Sequence, residues 1–208
     1  MRFSVIVPAH NSEAYIRRCL NSIRCQSFTD YELIVVCDAC TDGTDAVARE
    51  YTELVAFTDA GNDGPPRQKG IELAEGDWIL FLDDDDWFFD TEVLRKIDAA
   101  LNDDIDVLLF GFVFKGKGYA TPERFQNGVR IVWPAVWNKC YRWSFIKDVK
   151  FRSIVPTPDG QAADIDWTQR VLDKDPRIGI LDEPLYFYNY MRPGSQTATL
   201  MKVGGDKD

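Results

Sequence analysis

The stretch DWILFLDDDDW, residues 77–87, decides the fold. Trp78 to Leu82 form an uninterrupted apolar run, the mark of a strand buried on both faces, and four carboxylates, Asp83 to Asp86, follow it at once. Working outward, FSVIVP (3–8), YELIVVC (31–37) and ELVAFT (53–58) repeat the pattern of short β-rich runs, separated by amphipathic stretches at 12–25, 44–51 and 66–74. Buried strands alternating with helices predict an α/β fold: a mostly parallel central sheet with helices on both faces, in a single domain. Ser12 ahead of the stripe Tyr15, Ile16, Cys19, Leu20 and Ile23 signals one helix start. Asp90 and Thr91 ahead of Val93, Leu94, Ile97 and Leu101 signal another.

Beyond residue 106, VLLFGFVF (107–114) reads as a further strand, and the Gly-rich, polar stretch 115–127 as a loop or excursion. An aromatic segment, IVWPAVWNKCYRWSF (131–145), a Pro-rich loop, VPTPDG (155–160), a helix over about 164–172 and two closing strands, RIGIL (177–181) and PLYFYNY (184–190), complete the reading. The domain is expected over 1–200, with 201–208 a frayed tail.

The chain has 208 residues, 45% of them hydrophobic, and a formal net charge of −10. That size supports one substantial core. The negative charge argues against nucleic acid as a partner and against adsorption to an anionic membrane by charge alone. A negatively charged ligand would need a cation or a local basic pocket. No run of about 20 apolar residues marks a membrane span, and the N-terminal apolar stretch is short for a signal peptide; a soluble, cytoplasmic protein is expected. Five cysteines make no disulfide framework. Cys37 and Cys40 form a CxxC without a second pair, so small residues at a strand end are preferred over zinc or redox use.

In open α/β sheets ligands bind outside the carboxyl ends of the strands. Here those ends carry Pro8-Ala9-His10-Asn11, Cys37-Asp38, Thr58-Asp59 and Asp83 to Asp86. Two carboxylates 4 Å apart repel by roughly 4 kcal/mol at an effective dielectric of about 20, so the cluster needs protons or a cation. On an extended chain Asp83 and Asp85 share one side, which lets them offer oxygens to one hard divalent ion while leaving positions for phosphate oxygens and water. The competing reading is a solvated acidic turn in which Asp86 or Asp90 caps the next helix. An EF-hand fails, because the sixth and twelfth positions counted from Asp83 are Phe88 and Leu94 rather than Gly and Glu. An Asp-nucleophile phosphatase, with Asp83 followed two residues later by Asp85, stays open as an alternative.

Six segments in order resemble one family. SVIVPAHNSEAYIRRCLNSIRCQS (4–27), YELIVVCDACTDGT (31–44), GPPRQKGIELAEGDWILFLDDDDW (64–87), VWNKCYRWSFI (136–146), ADIDWTQRVL (163–172) and PLYFYNYMRPGSQT (184–197) are similar to the motifs of the GT-A glycosyltransferases of family 2. Members are nucleotide-sugar-dependent inverting enzymes common in bacterial polysaccharide synthesis.

The resemblance implies that Pro8, His10 and Asn11 floor the nucleotide site. Asp38 would accept from the base N–H, in a loop where Cys37 and Ala39 replace the usual Asp and Gly. Arg67 would lie near the ribose or diphosphate. Asp83 and Asp85 become the DxD pair that holds Mn²⁺ or Mg²⁺, and Asp84 contacts ribose or sugar hydroxyls. Arg192, Ser195 and Thr197 of RPGSQT would fold over the diphosphate, with Gly194 permitting the turn. Asp164 is the implied general base, standing in a Glu-Asp position whose first member is Ala163; Asp166 is its substitute. Asn138 and Lys139 match the family's WNK element on the acceptor side. Trp133, Trp137, Tyr141 or Trp143 could stack a sugar, although aromatic residues at such spacing are more often core.

The expected function is metal-dependent, inverting transfer of a sugar from a nucleotide diphosphate sugar, a UDP-sugar first, to a hydroxyl of a saccharide or lipid-linked acceptor. A lipid-linked acceptor would be met by peripheral contact at the inner face of the membrane. A catalytically inactive nucleotide-sugar-binding module of the same fold is the alternative that Ala163 favours.

Overall fold

The computed structural model describes residues 1–127, 129–157 and 162–190. The strands are β1 (Phe3–Ala9), β2 (Tyr31–Asp38), β3 (Val55–Thr58), β4 (Trp78–Phe81), β5 (Trp87–Phe88), β6 (Val107–Phe114), β7 (Gly118–Ala120), β8 (Glu123–Gln126), β9 (Val129–Val132), β10 (Lys139–Arg142) and β11 (Ile178–Tyr188). The helices are α1 (Ile16–Arg24), α2 (Thr44–Arg49), α3 (Gly64–Leu73), α4 (Val93–Ala100), α5 (Trp143–Ile146) and α6 (Ala163–Leu172).

One nine-stranded sheet runs β3-β2-β1-β4-β10-β6-β11-β5, with β7 also paired to β6. Strands β3, β2, β1 and β4 are parallel, as the buried apolar runs predict, and every residue of β1 and β4 is buried. The other half is mixed. β10 runs antiparallel between β4 and β6, β11 is parallel to β6, and β5 is antiparallel to β11.

α1 packs beside α2, and α3 lies across β1, β2 and β3, the arrangement that right-handed crossovers produce. The stripe Ile16, Cys19, Leu20 and Ile23 is the buried face of α1, and Val93, Leu94 and Ile97 that of α4. α6 shares the face of α3. Its Trp167 meets Phe81 edge-on at 5.8 Å and stacks on Phe151 at 4.5 Å. A Cβ on Gly64, at the start of α3, would lie 2.2 Å from the Arg152 carbonyl oxygen and 3.1 Å from Ala163 Cβ, so glycine is what lets the starts of α3 and α6 approach.

Three local expectations are revised. Stretch 115–127 holds strands: β7 folds back on β6 through Gly116 and Gly118, both at positive φ, and β8 pairs with β9 as a separate hairpin. The two closing strands are a single bulged one, β11, whose register shifts on either side of Pro184, a residue with no N–H to continue the ladder. Ser12 starts the α1 turn through its carbonyl, which accepts from Tyr15 and Ile16, while its hydroxyl is buried without a partner among the described residues.

Candidate active site

The carboxyl ends of β1 to β4, the start of antiparallel β10 and the starts of α3 and α6 are brought together. The turn after β1 holds Asn11 at φ 45° and the turn after β2 holds Ala39 at φ 47°. Pro8 is buried within β1 beside Val36. His10 Nδ1 lies 2.6 Å from the Asp38 carbonyl oxygen, which can only accept, so the ring proton is on Nδ1. Asn11 Oδ1 accepts from the Thr41 N–H at 2.8 Å. Asp38 is buried, and its Oδ1 accepts from Thr58 Oγ1 and the Ala60 N–H, both at 2.8 Å. These bonds fix one carboxylate oxygen against β3 and orient the group at the strand end.

The four aspartates have four surroundings. Asp83 Oδ1 accepts from Arg67 Nη2 at 2.6 Å. Asp84 Oδ2 accepts from the His10 N–H at 3.0 Å, which ties the acidic turn to the turn after β1. Asp85 is half-buried at the tip. Asp86 is fully buried and accepts from Tyr186 Oη at 2.6 Å and the Asn189 N–H at 2.7 Å. The run is therefore not a solvated turn, and Asp86 caps no helix.

Arg67 is buried, with Nη1 donating to Asp63 Oδ2 at 2.6 Å and to the Asp63 carbonyl at 3.0 Å. Its Nε and Asp63 Oδ1 are buried without partners among the described residues. Burial opposes the guanidinium's charge, but Asp83 and Asp63 outweigh it and raise its pKa. Burial raises the Asp83 carboxyl while Arg67 pulls the other way.

Asp164 sits in the first turn of α6. Burial pushes its carboxyl up to about 6, with Arg67 resisting and Asp63 and Asp83 adding to the rise. A carboxyl at about 6 can hold or take a proton near neutrality. Asp166 is spoken for elsewhere: it pairs with Arg170 at 2.7 Å and Arg152 at 3.1 Å. Lys139, fully buried at the start of β10, donates at 2.6 Å to the Trp133 and Ala135 carbonyls and to Asn138 Oδ1. Burial drags its pKa down to about 7, and the charge of Asp164 acts in the opposite direction.

Trp137 and Tyr141 are core residues. Trp137 stacks on Tyr186 at 4.6 Å, and Tyr141 meets Trp167 edge-on at 5.0 Å. Burial pushes the Cys37 thiol up to about 12, which disfavours the thiolate that zinc or redox chemistry needs. Arg192 and Ser195, expected over the diphosphate, lie outside the described residues.

No group of three or more His, Cys, Asp or Glu that could hold a metal is found among the described residues. An ion here would have Asp85 and the second oxygen of Asp83 as ligands, with the remaining positions for phosphate and water. That partial, all-oxygen set fits Mg²⁺ or Mn²⁺ brought with a diphosphate.

Sequence reasoning missed Asp63, Asp86 and Tyr186. Asp63 carried a usable signal, since it stands four residues before Arg67 on one helix face. Tyr186 is 100 residues from Asp86 and carried none.

The sequence model of "Glycosyl transferase family 2" matches residues 4–162. The poly(ribitol-phosphate) beta-N-acetylglucosaminyltransferase TarS of Staphylococcus aureus (strain Mu50) is 32% identical over 96% of this chain and 37% of its own. The chain thus spans little more than a third of that curated relative. A crystal structure of S. aureus TarS 1-349 in complex with UDP-GlcNAc superposes with a TM-score of 0.79 at 30% identity, over 96% of this chain and 61% of that one. The mannosyltransferase PcManGT from Pyrobaculum calidifontis, solved with GDP-Man and Mn²⁺, shares the fold at a TM-score of 0.72 and 17% identity, over 95% of this chain and 59% of that one.

Proposed function

The chain belongs to glycosyl transferase family 2, and on that premise we propose that it moves a sugar from a nucleotide diphosphate sugar to an acceptor hydroxyl with inversion. The observation that carries the reading is the placement of Asp164, a half-buried carboxyl raised to about 6, on the same face as Arg67 and the acidic turn. Membership of this family displaces the phosphatase alternative.

A uridine diphosphate sugar is the donor the reading favours, and the UDP-GlcNAc held by the TarS structure supports it. Asp38, with Oδ1 fixed by Thr58 and Ala60, keeps Oδ2 for a base N–H. Pro8, His10 and Asn11 floor the nucleotide, and Asp84, steadied by the His10 N–H, faces ribose or sugar hydroxyls. Arg67 balances Asp83 and adds positive charge beside the leaving diphosphate. Mn²⁺ or Mg²⁺ held by Asp83 and Asp85 would neutralise that diphosphate. Asp164 takes the proton of the acceptor hydroxyl as its oxygen attacks the anomeric carbon from the face opposite the diphosphate. The acceptor class is a saccharide or a lipid-linked saccharide. A lipid-linked acceptor would be met by peripheral contact at the inner face of the membrane; among the described residues no helix is long and apolar enough to cross a membrane.

The inactive-module reading keeps one observation in its favour: Ala163, fully buried beside Gly64, supplies no carboxylate where the Glu-Asp pair has its glutamate. A panel of nucleotide sugars with Mn²⁺, run on the unchanged protein, Asp85→Ala and Asp164→Ala, separates the two. Slow nucleotide release that is lost in both variants, with binding lost only in Asp85→Ala, is the expected result. Tight binding without release under any acceptor would establish the inactive module.

A further inference from the structure

We propose that Asp86 is a positioning residue that sets the geometry of the turn carrying Asp83 and Asp85 by locking it to β11; the inference rests on the transferase reading and deepens it. The observation is a closed relay of hydrogen bonds. The Asp83 N–H donates to Tyr186 Oη at 3.2 Å, and the Tyr186 hydroxyl donates to Asp86 Oδ2 at 2.6 Å. The Asn189 N–H donates to Asp86 Oδ1 at 2.7 Å, and the Asp86 N–H closes the turn on the Asp83 carbonyl at 3.0 Å. Each end of the relay is held. Tyr186 and Asp86 are both fully buried, and Tyr186 is paired with Phe88 of β5 and Phe112 of β6 while its ring stacks on Trp137.

The ring therefore has no room to follow the turn; the turn must follow the ring. A chain that needed only a β4–β5 connection has no use for a buried carboxylate, which costs free energy unless its bonds are made. Here both oxygens are used to hold the backbone from which Asp83 and Asp85 project. Their spacing is thus set from β11, on the acceptor half of the sheet.

The donor count makes the test sharp. In Asp86→Asn one oxygen remains. If it faces Tyr186, the amide N–H₂ meets the Asn189 N–H, donor against donor; if it faces Asn189, the tyrosine loses its acceptor. Tyr186→Phe breaks the same relay without touching the charge, and serves if Asp86→Asn does not fold. Titration of UDP in the presence of Mn²⁺ should show metal-dependent affinity weakened by roughly tenfold or more in both variants, the usual effect of losing a group that orients metal ligands. Uridine binding, read by NMR without metal, should stay unchanged, because its pocket is built at the ends of β1 to β3. Equal Mn²⁺-dependent affinity in the variants and the unchanged protein would overturn the proposal and leave the transferase reading intact, as would parallel loss of uridine binding, which marks general destabilisation. If the unchanged protein shows no Mn²⁺-dependent UDP binding, the reading beneath the proposal falls and the proposal with it.

Discussion

The two halves of the sheet solve different problems. From β3 to β4 the strands are parallel, and the site is made by backbone turns at their carboxyl ends: Asn11 and Ala39 in left-handed turns, Asp38 against β3, Asp84 on the His10 N–H. From β10 to β5 the sheet is mixed, strand β11 is bulged, and the site is held by side chains that cross between elements: Lys139 to the 133–138 loop, Tyr186 to Asp86, Trp137 to Tyr186. The first half offers a shape that any nucleotide diphosphate could use. On the proposed reading the second half holds the groups that carry the metal and the proton, so a change there should disturb turnover or metal-dependent diphosphate binding while leaving uridine binding unchanged.

Asp164→Asn is the strongest way to break that contrast. Loss of a general base lowers kcat by roughly 10²- to 10⁴-fold, and nucleotide affinity should change little, which steady-state kinetics and equilibrium binding can compare. An equal loss in both would mean that the two halves do not divide the work. The pH profile gives a second view. On the proposed reading Asp164 acts as carboxylate, and burial raises its pKa to about 6, so kcat/KM should fall as pH drops through about 6 and level off above it.

Lys139→Met is the next largest. The ammonium's three N–H groups meet three oxygens, and methionine takes that donor from all three, of which Asn138 Oδ1 is in a buried contact and the two carbonyls in part-buried ones. Removing the buried charge offsets part of the loss, so the net cost should be about 2–4 kcal/mol, measured by denaturant unfolding. Retained stability would show that the 133–138 loop holds its shape without the cation, and the contrast between backbone-built and side-chain-built halves would weaken.

The same contrast explains what could be read in the letters. The parallel half was legible because buried strands and the helices between them leave periodic signals, and because strand ends name their own site residues: Asp38, Asp83 to Asp86 and the turn around His10 and Asn11 all follow apolar runs directly. The mixed half was less so. The strand β10 lies between β4 and β6 although KCYR carries no alternation that announces it, and β11 reads as two strands because Pro184 interrupts its ladder. Lys139 could be recognised from its motif but not its use, since three of the atoms that explain it belong to a loop whose path no local pattern predicts. Asp86 looked like one more member of an acidic run; only the approach of β11 separates it from its neighbours.

The smallest predicted effect tests the nucleotide half on its own terms. Ala39 occupies φ 47° in the turn after β2, where its N–H donates to the Thr58 carbonyl at 2.9 Å and its neighbour Asp38 binds His10. A left-handed conformation costs a residue with a Cβ roughly 1–2 kcal/mol, a cost glycine does not bear. Glycine also gives the unfolded chain more freedom, which returns about 0.4–1 kcal/mol of that gain. The two terms have opposite signs and the first is larger, so Ala39→Gly should stabilise the protein by about 0.5–1 kcal/mol in denaturant unfolding. Because the turn is already held by the Thr58 and His10 bonds, uridine affinity should stay the same. A gain in stability with unchanged affinity would show that the turn is preorganised by its hydrogen bonds despite the strain at Ala39, whereas a change in affinity would show that the strain itself sets the position of Asp38.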